Sequence, residues 1–156
     1  MEAMRPATTV APITGDEEFP DDERLTAVAR FYRALNHRDL ALMERTWAGG
    51  DEAVMANPLG GLTRGWPGIR AVYAGLFAGE STLAVEFYDY TVHAADELFY
   101  VVGRERGRFA RNARTVDLAI RTTRVFRRIE GEWRQVHHHG SMDDARLLET
   151  YQAATR

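Results

Sequence analysis

Apolar positions in the first half of the chain recur every three to four residues. Leu25, Val28, Ala29, Tyr32 and Leu35 trace one face of a helix of period 3.6, and Asp21 and Asp22 stand where its N-cap belongs. Asn36-His37-Arg38 interrupts the stripe. Asp39 then offers a second cap for a helix or kinked extension carrying Leu40, Met43 and Trp47. A short strand over 53–56 is ended by Asn57-Pro58, and Gly60, Gly61 and Gly65 mark a loop that leads to Pro67 at a third helix start. Ile69, Val72, Tyr73, Leu76 and Phe77 form that helix's inner stripe, closed by Gly79.

From Thr82 the period changes from 3.6 to 2, in long runs rich in valine, threonine and aromatic residues. The pattern predicts strands over 82–93, 98–109, 115–128 and 132–141. Turns fall at Ala94-Ala95-Asp96, around Asn112 and at Glu130-Gly131, and a last helix runs from Asp143 to Thr150. Sequential long hairpins make an antiparallel meander. Helices first and strands afterwards indicate an α+β arrangement, with helices covering one face of a strongly curved antiparallel sheet.

Composition narrows the chemistry. The 156 residues suit one domain, and no period of a solenoid repeats in them. There is no cysteine, which excludes disulfide scaffolds, thiolate nucleophiles and cysteine-based metal sites. All 20 basic residues are arginine, so Schiff-base and P-loop lysine chemistry is absent. A net charge of -3 gives no overall attraction to nucleic acid or anionic membrane, and no apolar run approaches the roughly 20 residues of a membrane span. These features predict a cytoplasmic protein with neither kind of partner. Residues 1–20 combine Pro6, Pro12 and Pro20 with Asp16, Glu17 and Glu18 and read as a flexible tail, leaving one domain over 21–156.

Two stretches carry a family resemblance. Phe31-Tyr32-Arg33-Ala34-Leu35-Asn36, Asp39-Leu40, Asn57-Pro58-Leu59-Gly60-Gly61, Arg64-Gly65 and Ile69-Arg70 resemble the ketosteroid isomerase pattern. Thr123-Arg124-Val125, Arg127-Arg128, Gly131, Trp133, Val136-His137, His139 and Ser141 resemble the association domain of calcium/calmodulin-dependent protein kinase. Both belong to the nuclear transport factor 2 superfamily, which also holds SnoaL-like cyclases and dehydratases. The resemblance spans roughly residues 22–142 and implies a cone-shaped, cystatin-like α+β fold with a pocket inside the cone.

The isomerase mechanism itself does not carry over. Its base position falls on Asn57, an amide; its oxyanion tyrosine falls on Phe31, with Tyr32 one step round the helix; its buried acid falls on Thr122 or Thr123. In the hub-domain comparison Arg124 matches one arginine of an anion pocket, while Gly140 takes the place of the second. The resemblance turns Thr122, Arg124 and His138 towards the cone interior.

Several residues are candidates for a site. His138 is a candidate acid–base group, or a pocket-wall histidine with a structural bond. Arg124 is the expected polar anchor for a carboxylate ligand. The inward positions on the last three strands are read as offering it no acid, with Glu105 and Asp117 pointing away. Arg104, Arg106 and Arg108 share a strand face that an antiparallel neighbour would bring near Arg124, and Arg104 is the better ligand contact of that row. Asn57, Tyr32 and Trp66 complete the expected pocket, Trp66 as an aromatic cap at its mouth. Strand parity groups Trp133, Gln135, His137, His139 and Ser141 on one face. His137 and His139 there are a possible metal pair with Asp143 or Asp144, or hydrogen-bonding residues under a partner subunit, which is the simpler reading. No metal and no organic cofactor is expected. Trp133, His137 and Val125 on an uncovered face predict a homodimer. Two functions remain open: acid–base lyase, isomerase or cyclase chemistry on a small organic ligand, or a non-catalytic binding or oligomerisation module.

Overall fold

The computed structural model describes residues 11–156. Asp22 caps helix α1 (Glu23–Asn36) by accepting from the Leu25 N–H at 3.0 Å, and Asp39 caps α2 (Leu40–Thr46) through the Leu42 N–H at 3.0 Å. Strands β1 (Val54–Ala56) and β2 (Leu62–Arg64) follow, then α3 (Trp66–Phe77) with Pro67 in its first turn. The long strands are β3 (Thr82–Ala94), β4 (Leu98–Arg111), β5 (Arg114–Ile129) and β6 (Glu132–Met142), and α4 (Ala145–Thr155) closes the chain. The element order matches the periodicity, with α4 about a turn longer than expected and β2 formed within the predicted loop.

The six strands lie in the order β2-β1-β6-β5-β4-β3. The β3–β6 meander is antiparallel throughout, but β1 joins β6 in parallel, so the sheet is mixed. The parallel pairing sets Met55 beside His138 and draws the Asn57-Pro58 turn to the inner face. Helices α1 to α3 cover that face. Phe31 and Tyr32 of α1, Trp47, Tyr73 of α3 and the strand residues Phe87, Phe99, Val101, Phe109 and Phe126 form the core. Among the described residues no helix is long and apolar enough to cross a membrane.

Two bulges decide which side chains face inward. In β3 the register shifts between Tyr88 and Thr91, with Asp89 at φ 48°, and Tyr90 and Phe87 crowd so close to Gly103 that a Cβ there would meet Tyr90 Cβ at 2.7 Å. In β6 the shift falls between the pairs Val125–His137 and Phe126–Gln135, which leaves Val136 as the extra residue. Trp133 and Gln135 therefore share the inner face with His138, correcting the parity that grouped them with His137 and His139. Trp133 is buried edge-on against Phe99, ring centroids 5.0 Å apart. It belongs to the core and not to an uncovered face.

The expected tail also needs correction. Residues 1–10 of it lie outside the described residues. Residues 11–20 are part of the folded domain: Ile13 is fully buried and exchanges two 2.9 Å backbone bonds with Phe87, and Glu17 accepts from the Thr14 and Gly15 N–H groups. This segment is anchored by backbone pairing and one apolar side chain, which leaves no apolar period to read.

Candidate functional site

The inner face of β4, β5 and β6 holds a compact polar cluster enclosed by aromatic rings. Arg124, opposite His138 in the β5–β6 register and opposite Val101 in the β4–β5 register, is 2 % exposed. Its Nη2 donates to Glu105 Oε2 at 2.9 Å, its Nη1 to Gln135 Oε1 at 2.8 Å and its Nε to the Tyr32 hydroxyl at 3.2 Å. The Tyr32 hydroxyl in turn donates to Glu105 Oε2 at 2.5 Å. The guanidinium carbon stands 3.7 Å from the Phe31 ring centroid, a desolvated cation–π contact. Glu105 is inward because it shares parity with Val101 and Phe109, and the expectation that it points away from Arg124 is overturned. Arg124 has an internal carboxylate partner.

The electrostatics follow from burial and this pairing. Burial works against the Arg124 cation, but Tyr32, Glu105 and Tyr73 outweigh it and hold its pKa above the usual arginine value. Burial first, then the Glu105 charge, raise Tyr32 well above the phenol range. Burial pushes Tyr73 up to about 12 and raises Tyr151 of α4, with Glu105 adding to both. These phenols are neutral donors at any physiological pH. His138 moves the other way: burial, then the nearby Arg124 cation, drive it well below the ordinary imidazole value. It is an uncharged imidazole whose Nε2 lies 2.6 Å from Thr122 Oγ1 and whose Nδ1 is buried without a partner. Gln135 Nε2 is likewise buried without a partner.

The remaining predicted residues are elsewhere. Arg104 lies on the outer face opposite Arg121, ion-paired with Asp89 at 3.2 Å and Asp143 at 3.6 Å, so it and Arg124 are on opposite sides of the sheet. Alternation along β4 makes this unavoidable once Glu105 faces in. Trp66 is buried at the start of α3, and its indole N–H donates to Glu44 of α2 at 3.0 Å, a helix–helix tie. Asn57 spends its side chain on its own turn, Oδ1 accepting from the Leu59 N–H at 2.8 Å. His137 contacts the Val54 carbonyl oxygen through Nδ1 at 2.7 Å on the outer face, Asp143 bridges Arg104 and Arg121, and Asp144 caps α4. Among the described residues no three His, Asp or Glu side chains gather as a metal site. The structure thus brings Tyr32, Thr122, Arg124 and His138 together, sets Arg104 on the opposite face, ties Trp66 to α2, and leaves Asn57 near the inner face but hydrogen-bonded within its own turn. It adds Glu105, whose parity with Val101 and Phe109 was the available signal, and Gln135, which only the Val136 bulge turns inward.

The family model for the SnoaL-like domain matches residues 25–145. The chain belongs to the SnoaL-like family, within the nuclear transport factor 2 superfamily. Solved structures agree on the fold. A provisionally assigned calcium/calmodulin-dependent protein kinase type II association domain from Thiobacillus denitrificans is 26% identical, with 81% of this chain and 100% of that one covered at TM-score 0.64. A provisionally assigned dehydratase of the NTF2-like family from Streptomyces avermitilis is 18% identical, with 79% and 95% covered at TM-score 0.70. A cystatin-like-fold protein from Caulobacter vibrioides is 14% identical, with 82% and 92% covered at TM-score 0.66. No curated protein matches. The residues on which the resemblance sets the isomerase groups, Asn57, Phe31 and Thr122 or Thr123, are engaged otherwise: Asn57 accepts from its own turn, Phe31 lies under the Arg124 guanidinium, and Thr122 is the partner of His138.

Proposed function

We propose that this SnoaL-like domain binds a small organic ligand inside its cone and that His138 is the group equipped for acid–base chemistry on it, without an organic cofactor. The observation that carries the reading is the open Nδ1 of a fully buried, uncharged His138, oriented through Nε2 by Thr122. An unpaired buried polar atom costs about 1–3 kcal/mol, a cost that a bound partner at Nδ1 would offset. Arg124 supports the site without anchoring an anion, since Glu105 already neutralises it. The expected carboxylate ligand therefore loses its main support. Cytoplasmic residence, with neither nucleic acid nor membrane as partner, accompanies this reading.

A second reading has its own support. The outer face leaves Val102 40 % and Leu98 39 % exposed, with Val125 half-buried, and an association domain stands among the structural relatives, so a homodimeric assembly module is the competitor. One NMR experiment separates the two. A panel of small ketones, alcohols and carboxylates is titrated into uniformly nitrogen-labelled protein, with the His138 ring and the backbone amides followed together. The ligand reading expects a panel member to shift the His138 resonances of the wild type, with no binding to His138→Phe. A panel with no effect on any cone resonance, together with concentration-dependent shifts at Val102 and Val125, would establish the assembly reading instead.

A further inference from the structure

We propose that the tip of the β4–β5 hairpin and the end of α4 form a second binding site, which takes a phosphate group. Arg114, Arg156 and Asn112 are its donors, and Arg111 holds the cleft together. None of these residues belongs to the inner cluster, so this site and the ligand reading above do not depend on each other.

Among the described residues the sheet sets two arginines directly opposite each other three times: Arg104 and Arg121, Arg127 and Arg134, Arg111 and Arg114. Like charges in such a pair, with Cβ atoms roughly 5 Å apart, repel. The first pair shares the Asp143 carboxylate, and Asp89 also pairs with Arg104. In the second, Arg127 pairs with Glu52 and Arg134 with Glu132. The third departs from this pattern. The two-residue turn Asn112-Ala113, at φ 52° and 66°, forces Arg111 and Arg114 opposite each other, and no described carboxylate lies within 4.0 Å of either. Arg111 instead donates to the Gly75 and Leu76 carbonyl oxygens at 2.7 and 3.0 Å and to that of Thr155 at 3.1 Å, and Arg114 donates to the Ala153 carbonyl oxygen at 3.1 Å. These bonds tie the ends of α3 and α4 to the hairpin and fix the Arg111 side chain. They satisfy donors without supplying the counter-charge that the other two pairs have.

Arg156, at the C-cap of α4, adds a third cation. With Arg111, Asn112, Arg114, Ala153 and Ala154 it lines an open cleft of about 580 Å³, and no acidic side chain is among these residues. The two helix ends oppose the cations with roughly half a negative charge each, and the Arg156 main-chain carboxylate opposes them further, but the cleft stays net positive. Arg114 and Arg156 are exposed and keep unspent donors on two guanidinium forks, and the exposed Asn112 amide adds another. Donors reaching one cleft from a strand, a turn and a helix end suit the several oxygens and double charge of a phosphate better than a planar carboxylate. No aromatic side chain lines the cleft to stack a nucleobase, so the phosphate is free or carried on a small aliphatic body.

The test titrates inorganic phosphate, glycerol 2-phosphate, acetate and a hexaglutamate peptide into the full chain at pH 7.5. Ionic strength is held constant so that general screening does not change. The backbone amides of Asn112, Ala113 and Arg114 and the arginine Nε–H groups are followed by NMR. The expected result is that at least one phosphate shifts the hairpin-tip amides saturably and binds about tenfold or more tightly than acetate. The tighter of the two phosphates tells a free ion from a carried group. Arg114→Gln/Arg156→Gln should weaken that phosphate about tenfold or more. Both side chains are exposed and Arg111 is left in place, so the fold survives the change. Arg104→Gln, in a pair that Asp143 already bridges, should leave the affinity unchanged. Shifts that grow without saturating, equal affinity for acetate, or an unchanged affinity in the double variant would overturn the proposal. So would an equal loss in Arg104→Gln. Tighter binding of hexaglutamate than of either phosphate would overturn it in favour of an acidic protein partner.

Discussion

Arg104 and Glu105 are neighbours in β4, yet they live in different physical worlds. Arg104 faces outward, 46 % exposed, between Asp89 and Asp143 in an open network shared with Arg121. Glu105 faces inward, 5 % exposed, clamped by Arg124 and Tyr32 under a roof of aromatic rings. Solvent screens the outer charges and lets them rearrange, so each pair is worth little. Inside the cone, each charge was desolvated during folding and depends on its partner to remain there. Identical residue types therefore act as surface ornament on one face and as fixed architecture on the other.

The largest effect should come from breaking the inner pair. Glu105→Leu strands a buried guanidinium and should cost about 3–5 kcal/mol by urea denaturation. A loss below about 1 kcal/mol would place the inner pair in the same class as the outer ones.

Acid should expose the next difference. Burial and Arg124 hold His138 below its unfolded pKa of about 6.5, so on acidification the unfolded chain takes up this proton first. His138 contributes its full stability above about pH 6.5 and loses it as pH falls towards the depressed folded value, by up to about 1.4 kcal/mol per pH unit. Tyr32, Tyr73 and Tyr151 are displaced upward and Glu17 downward, out of that window. Stability measured between pH 6.5 and 5 should fall in the wild type and be nearly flat in His138→Gln. Equal slopes in the two proteins would mean that His138 is not held neutral.

On the outer face Asp143→Asn removes a carboxylate shared by Arg104 and Arg121. The expected cost is at most about 1 kcal/mol, shrinking further in 0.5 M salt, a concentration of roughly a 4 Å screening length. A salt-independent loss of several kcal/mol would erase the contrast between the faces.

Much of this architecture was legible from periodicity. The change from 3.6 to 2 at Thr82 fixed the element order, Asp22 and Asp39 announced their helices, and the turn at Glu130-Gly131 marked the β5–β6 hairpin, in which it is the bulge that brings His138 instead of His137 opposite Arg124. The bulge at Val136 was invisible because no glycine or proline marks it, and it reversed the faces of Trp133 and Gln135 relative to simple alternation. Glu105 was misjudged for a different reason. Its parity with Val101 and Phe109 pointed inward, but an acid flanked by arginines looks like a solvated residue until its partner across the sheet is known. Residues 11–20 escaped because backbone bonds to β3 leave no trace in side-chain pattern.

The account's central claim is that Arg124 is satisfied from within the protein and not by an anionic ligand. A double-mutant cycle on Arg124→Leu and Glu105→Leu, read by urea denaturation in ligand-free buffer, addresses it most directly. The account predicts that the double variant is more stable than either single variant and that the coupling is about 2–3 kcal/mol, at the upper end for contacting pairs. Additive costs within about 0.5 kcal/mol would contradict it and return Arg124 to the role of a free anion anchor.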